Sequence, residues 1–430
     1  MKQPVSEKEL DERIELNYRR LRDDPYYGIG EIFSPPDYGW MGDKEGRALL
    51  AFVSHFRMSG RVIPCMEQML EKMPSVLNEK HFLGDCSGKF IREEQLSGHS
   101  WMLRGLCEHY EAFGDAYSLE LIRDITENLY LPLRGEFRNY PLRAGDGSGG
   151  VSGNEIGTAG RWLLSSDTCA AFMSIDGLSH AYCVLKDPAL KELLDEMISF
   201  YAPLDKRTVK AQTHCTLTAG RGMVRMFRET GDPFYLKSAE GILTSYVYGG
   251  GMTLTYQNLN WWGRPDTWTE PCAIVDSLML SLELYKLTGR EDCRRIAARI
   301  WHNGFAPAQR DNGGAGTDTV VTSDSPWNDL FPLMKEAYFC CTMRLAEGLR
   351  YVKTNREFLY AEISGTPSMG ENGVYSDGDL VYAEPDEELL PYVDNERSVV
   401  AAGHRLSPLV KAYRVPWEIL GRARQKVVTE

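Results

Sequence analysis

Four residues in two short stretches could act together on one metal ion or one electrophile. They are Glu270 and Cys272 in TEPCAIV, and the neighbours Cys340 and Cys341 in YFCCTMR. One carboxylate with three thiolates makes a reasonable tetrahedral zinc set, although the spacing matches no zinc finger or ribbon. Cysteine is also among the most buried residue types, so taken alone the three thiols near helix starts read first as packing. A further group could bind or stack on a ligand rich in hydroxyls: His99 in LSGHSWM, His214 in KAQTHCT, and Trp261, Trp262 and Trp268. The Trp261-Trp262 pair serves equally as a stacking platform or as a loop anchor, and both readings stay open. His180 and His302 lie in helical contexts and read as core or surface residues.

The elements that must position these residues are mostly helical. An amphipathic run, a tight turn and a second run recur in LCEHYEAFGDAYSLELIRDI, AYCVLKDPALKELLDEMISF, MVRMFRETGDPFYLKSAEGI and LELYKLTGREDCRRIAARIW. Apolar residues fall at helical spacing on both sides of each turn, as with Leu284, Leu287, Ile296 and Ile300. Gly114, Gly231 and Gly289 are expected as helix C-caps, and Pro188 and Pro233 as first-turn residues of the next helix. Irregular intervals and long linkers rich in Gly and Trp favour a closed α/α toroid, an (α/α)6 barrel over residues 1–355, rather than an open solenoid. Residues 134–165 are glycine-rich and long for a passive connector, so a loop over a site is expected there. Its GSGGVSG run lacks the strand context of a phosphate loop. Past residue 355, FLYAEI, GVYSDG and LVYAEP read as strands, predicting a short β-rich C-terminal extension over 356–430.

Composition bounds the partners. The chain has 430 residues, 43% hydrophobic and 25% charged, with a net charge of −13 and no block of Lys or Arg. That argues against nucleic acid and anionic membrane surfaces, and for a neutral or cationic small ligand. No stretch approaches the apolar length of a membrane span, and the charged N-terminus carries no signal-peptide core, so the expected location is cytoplasmic. The ten cysteines show no framework spacing and are expected as free thiols.

Taken together, the Glu-Pro-Cys at 270–272, the Cys-Cys at 340–341 and the following FLYAEI resemble the β-L-arabinofuranosidase family, glycoside hydrolase family 127. LSGHSWMLRGLCEHYEAFGD is similar to that family's Gly-His helix and Gly-Asp turn, and VKAQTHCTLTAGRGMVRMFRETGD to another of its helical hairpins. The resemblance runs over about residues 90–365. It implies a carbohydrate substrate and a Zn2+ ion held by Glu270, Cys272, Cys340 and Cys341. It further implies that Cys340 attacks the anomeric carbon and forms a thioglycosyl intermediate, where most retaining glycosidases use two carboxylates. His99 is carried over as a ligand of sugar hydroxyls.

The departures are specific. The family's acid/base is a glutamate just after a Gly-Gly turn, whereas the sequence after Gly249–Gly251 contains no glutamate before Glu270. The aligned position falls near Tyr256, and Asp266 is the carboxylate between the turn and Glu270. Tyr256, Asp266 or a carboxylate such as Glu155 from the glycine-rich loop could supply the proton, or ordinary glycosides are not hydrolysed. His214 stands where the family tends to have Gln, and Thr342-Met343-Arg344 replaces Pro-Pro-Asn. The short β region leaves room for a homo-oligomer that closes the substrate mouth. The reading is a retaining glycosidase for a furanoside-type sugar. The alternatives are a lyase or isomerase on the same zinc-cysteine centre, or a non-catalytic sugar-binding relative with structural zinc.

Overall fold

The computed structural model describes residues 2–3, 5–33, 40–142, 155–253, 256–264, 267–316 and 336–362, with short strands between 368 and 406. Its longer helices are α1 (Glu7–Asp23), α2 (Asp43–Ser59), α3 (Cys65–Lys72), α4 (Glu93–Phe113), α5 (Ala116–Ile125) and α6 (Ser174–Leu185). They continue with α7 (Pro188–Tyr201), α8 (Thr213–Thr230), α9 (Pro233–Tyr248), α10 (Pro271–Thr288), α11 (Glu291–Arg299) and α12 (Cys341–Asn355).

The turns between paired helices form as their residue types demand. Gly114, Gly231 and Gly289 take left-handed φ values of 66°, 72° and 72°. Asp115, Asp187 and Asp232 then cap the next helix, accepting N–H bonds from Ser118 at 2.7 Å, Ala189 at 2.8 Å and Phe234 at 2.9 Å. Pro188 and Pro233 occupy first-turn positions. The hairpin without a glycine places Lys186 in the left-handed region instead.

The even-numbered helices pack side by side, α2 on α4, α4 on α6 and onward to α12, which packs back on α2. Each odd-numbered helix lies outside against an inner one, α1 against α12. This is an (α/α)6 barrel. Close seams between inner helices need residues without side chains. A Cβ on Gly46 would lie 2.1 Å from the backbone of Trp101 and Met102, and one on Gly222 would lie 2.6 Å from the Ile175 carbonyl oxygen. Asn17 on α1 fastens the ring closure, donating to the carbonyls of Thr342 at 3.0 Å and Gly313 at 2.9 Å while its oxygen meets His55 of α2.

The interior of the ring is ionic as well as apolar. Arg104 reaches Asp176 at 3.1 Å and Glu347 at 2.7 Å, and Arg221 reaches both Asp276 and Glu347 at 2.7 Å. Arg344 also pairs with Asp276 and Glu347. Burial opposes ionisation of Asp176 and Asp276. The facing arginines win, Arg225, Arg104 and Arg221 for the first, Arg344 and Arg221 for the second, and hold both carboxyls below the usual range.

The strands sit at the margins. β1 (Lys2–Gln3) pairs antiparallel with β5 (Ala361–Glu362). β2 (Ile91–Arg92), parallel to β4 (Trp162–Ser165), joins the antiparallel β3 (Glu155–Ala159) and β4 at the entry to α4. The GSGGVSG run lies outside the described residues. Beyond α12 come β6 (Ser368–Met369), β7 (Tyr375–Asp377) and β8 (Leu380–Tyr382), then the pair β9 (Val399–Ala401) and β10 (His404–Leu406).

Three outcomes follow for stability. Gly46→Ala should destabilise by about 2 kcal/mol or more in chemical denaturation, because backbone rather than a flexible side chain blocks the new methyl. The depressed carboxyls of Asp176 and Asp276 contribute stability that is complete above about pH 4 and is lost as pH falls through their folded-state values. Glu347→Gln, which strips a shared partner from three buried arginines, should cost about 3–5 kcal/mol by thermal or denaturant unfolding.

Candidate metal and catalytic centre

The inner helices all start at one end of the ring, so their positive dipole ends converge there. Their first turns carry the residues singled out by the sequence. Pro271 opens α10 with the φ a helix start requires, which leaves Glu270 as N-cap and sets Cys272 in the first turn. Cys340 is the N-cap of α12 and Cys341 its first residue. The two helix starts therefore meet, and one donor atom from each of Glu270, Cys272, Cys340 and Cys341 lies within 4.8 Å of all the others.

The spacing suits a metal ion. Cys272 Sγ is 3.2 Å from Cys341 Sγ, which is 3.4 Å from Cys340 Sγ. A tetrahedral ion with metal–sulfur bonds of about 2.3 Å holds its sulfurs about 3.8 Å apart, a small outward adjustment. Negative charge on the cluster is favoured at one sulfur. Burial opposes it at Cys272, but S–H bonds from Cys340 and Cys341, with Arg47 and His214 nearby, hold that thiol well below its ordinary value. Cys340 and Cys341 are pushed up, Cys340 chiefly by donating to Cys272 and Cys341 chiefly by burial. Metal binding there would displace two protons.

The surroundings supply the matching charge. Arg47, fixed by both Asp43 oxygens at 2.9 Å and lying 4.0 Å over the Trp101 ring, places Nη1 3.4 Å from Cys272 Sγ. His214 Nδ1 is 3.1 Å from Glu270 Oε1, and its Nε2 is 3.3 Å from Asp276. Burial works against a charged ring, yet Glu270, Cys272 and Asp276 raise His214 to about 10. A divalent ion on three thiolates and a carboxylate carries net −2, which the His214 imidazolium and Arg47, shared with Asp43, offset in part. Gln212 completes the setting by donating to Glu270 Oε2 at 3.0 Å. The four residues fit a metal ion.

Exposure separates the thiols. All three are buried, Cys272 and Cys341 at 0% exposure and Cys340 at 7%, so Cys340 is the least enclosed of the three residues. Beside it, Tyr338 and Phe339 are 47% and 42% exposed, and Tyr338 packs edge-on against Tyr26 at 4.9 Å.

Several expected contacts with a ligand are corrected. Trp261 and Trp262 are buried, with indole N–H groups directed to Ser166 O and Thr216 Oγ1, so they anchor the loop before Glu270 and offer no face to a ligand. His99 is fully buried between Gln95 O at 2.8 Å and the Leu83 N–H at 3.1 Å, which uses both ring nitrogens. It pins the segment before α4. His214 is buried too and orients Glu270. Tyr256 is buried with a positive φ of 57°, its ring 5.7 Å from the Arg299 guanidinium of outer helix α11. Asp266 lies outside the described residues. Glu155 is exposed and paired with Arg92 at 2.7 Å. Sequence reasoning passed over Arg47, Asp276, Tyr338 and Phe339; the Tyr-Phe directly before the cysteine pair was the one available signal.

A separate cavity of about 210 Å³ lies toward the other end of the ring, among Arg104, Glu108, His180, Arg221, Glu347 and Tyr351. Its charged walls are paired with one another and it is remote from the thiols.

No family model and no curated protein sequence matches the chain. Solved structures do. A GH127 β-arabinofuranosidase aligns over 89% of this chain and 62% of its own, with 13% identity and a TM-score of 0.53. A GH127 β-L-arabinofuranosidase from Geobacillus stearothermophilus T6 aligns over 87% of this chain and 69% of its own, with 10% identity and a TM-score of 0.56. The fold is one that GH127 enzymes share. It is also shared with a cellobiose 2-epimerase from Bacillus thermoamylovorans B4167, over 81% of this chain and 98% of that one, with 14% identity and a TM-score of 0.53. The chain thus spans less than two thirds of the length of the first of these arabinofuranosidases. Among the described residues, no helix is long and apolar enough to cross a membrane.

Purified protein should retain about one equivalent of metal per chain, and Cys272→Ser, which removes the thiol central to the cluster, should lower occupancy at least ~10-fold by elemental analysis. Absence of metal in the wild-type protein after loading at neutral pH would refute the site.

Proposed function

We propose that the chain is a retaining glycoside hydrolase acting on a furanoside of the β-L-arabinofuranoside class, with Cys340 as nucleophile in a zinc-supported centre. The observation that carries this reading is the clustering of Glu270, Cys272, Cys340 and Cys341 at one mouth of the barrel, with Cys340 the least enclosed of the three cysteines. Three soft sulfur donors and one carboxylate favour zinc among the common divalent ions. When bound, zinc would keep Cys340 as thiolate at neutral pH. The barrel over residues 1–355 would carry the chemistry, with 356–430 an appended β-rich segment.

The chain's own residues then have separable tasks. Cys340 Sγ forms a bond to the anomeric carbon while the bond to the leaving oxygen breaks and that oxygen takes a proton. Water later attacks the same carbon, the C–S bond breaks, and configuration is retained through two inversions. His214 and Gln212 hold the Glu270 carboxylate in place. Arg47 stabilises negative charge on the sulfur cluster, and Trp101 beneath it keeps the guanidinium from swinging away. Tyr338 and Phe339 offer exposed rings at the lip for the apolar face of a sugar.

Cys340→Ser should lower turnover of an aryl β-L-arabinofuranoside by at least ~10³-fold with the unfolding midpoint little changed. Mass spectrometry of wild-type protein quenched during turnover should find one glycosyl unit on the peptide carrying Cys340. Turnover undiminished in the serine variant, or an isomerised sugar as product, would overturn the assignment.

A further inference from the structure

The hydrolase reading needs a proton donor, and neither Tyr256, turned toward Arg299, nor Glu155, paired with Arg92, is placed for it. We propose that Glu94, on the first turn of α4, is the acid that protonates the leaving oxygen and later activates water. This assignment rests on the function proposed above.

Position is the first argument. Ser97, Trp101 and Arg104 mark the face of α4 turned to its inner-ring neighbours and the axis, through Met173, Arg47 and Glu347. Glu94 lies on the same stripe at helical spacing. Trp101 forms part of the floor, with Arg47 on it at 4.0 Å and His214 stacked at 5.7 Å, next to the thiols. Seven residues toward the helix start, at 1.5 Å each, put Glu94 about 10 Å higher on the wall. A leaving group departs outward from a sugar attacked at the floor, past that wall.

Connectivity is the second argument. Ser165 Oγ donates to Glu94, and the backbone just after it is tied by hydrogen bonds to the segments carrying Gln212 and Glu270. Ser166 O accepts the Trp261 indole N–H, Thr168 O accepts the Gln212 N–H, and the Gln212 side chain bonds Glu270. Glu94 and Glu270 are thus linked through a few residues of packed backbone.

The chemistry of Glu94 also differs from that of its neighbour. Glu93 spends its oxygens on Tyr140 Oη at 2.6 Å, Ser165 N at 2.8 Å and Ala171 N at 3.3 Å. Glu94 is 5% exposed, and among the described residues its hydrogen bond is the long one from Ser165 Oγ at 3.4 Å. Burial first, then the charges of Glu155, Asp167 and Glu93, raise it to about 8. The helix start favours the anion but loses to burial. Arg92 brings little relief, since Glu155 at 2.7 Å and Asp85 at 3.4 Å hold it. Glu94 is therefore protonated at neutral pH and can give its proton up. Glu45 is raised to about 7, but it caps the Gly42 N–H and lies two residues, about 200° of helix, from the inward Asp43.

In the forward step the Glu94 proton passes to the leaving oxygen as the C–O bond breaks and the C–S bond to Cys340 forms. In the return step the Glu94 carboxylate takes a proton from water, whose oxygen bonds the anomeric carbon as the Cys340 thiolate leaves. The test compares wild type, Glu94→Gln and Cys340→Ser on a methyl furanoside and on its 2,4-dinitrophenyl analogue, whose leaving group needs no proton. Glu94→Gln should lose about 10²–10⁴-fold on the methyl glycoside. On the dinitrophenyl substrate it should keep a burst of released phenol, azide should restore turnover, and the glycosyl azide should retain configuration. The alkaline limb of kcat/KM near pH 8 should disappear in this variant. Cys340→Ser should be inactive on both. Methyl glycoside turnover within about 3-fold of wild type in Glu94→Gln, or equal loss on both substrates without azide rescue in a folded variant, overturns Glu94 alone. Wild-type protein inert on both substrates overturns the hydrolase reading and this role with it.

Discussion

Asp276 is a buried carboxylate on which both the barrel and its mouth lean. Its oxygens meet Arg221 and Arg344, which also serve Glu347 deeper in the ring, and accept a bond from Thr218 of α8. Toward the mouth it faces His214 Nε2, whose other nitrogen faces Glu270. The ionic centre of the barrel and the donor set at its end are therefore one connected network. A charged imidazole between two carboxylates cannot rotate without stranding a charge in a desolvated place, so the Glu270 oxygen is held where the thiols need a fourth donor.

The same end of the ring concentrates opposing fields. The inner helix starts and Arg47 favour anions, and they meet three thiols and Glu270. Farther round the mouth, Glu93, Glu94, Asp167 and Glu155 crowd together with Arg92 already paired. One side of the mouth thus stabilises negative sulfur and the other penalises negative oxygen. The anion-stabilised sulfur is Cys272 and the anion-penalised oxygen is on Glu94, two groups driven apart by environment.

Much of this was legible from residue types. Local rules governed the hairpins, since glycine in a left-handed C-cap and aspartate at an N-cap act within a few residues, and Gly114-Asp115 and Gly231-Asp232 behave as written. Glu270, Cys272, Cys340 and Cys341 read first as packing when taken alone, and became a donor set through the resemblance carried by Glu-Pro-Cys together with Cys-Cys. The tryptophans and His99 misled because composition does not report direction. Trp261 and Trp262 look the same in a sequence whether they line a cleft or, as found, bury both indoles.

The sequence alone determined the helical hairpins and their caps, because each depends on local backbone geometry, and it offered the donor set through a motif resemblance. Only tertiary structure decided which cysteine is least enclosed, that Arg47 from α2 reaches Cys272 on α10, and that Glu94 on α4 is buried among other carboxylates. The reason is physical. Burial, dipole convergence and the state of a titrating group are set by neighbours distant in the chain, and those neighbours exist only once α12 closes against α2.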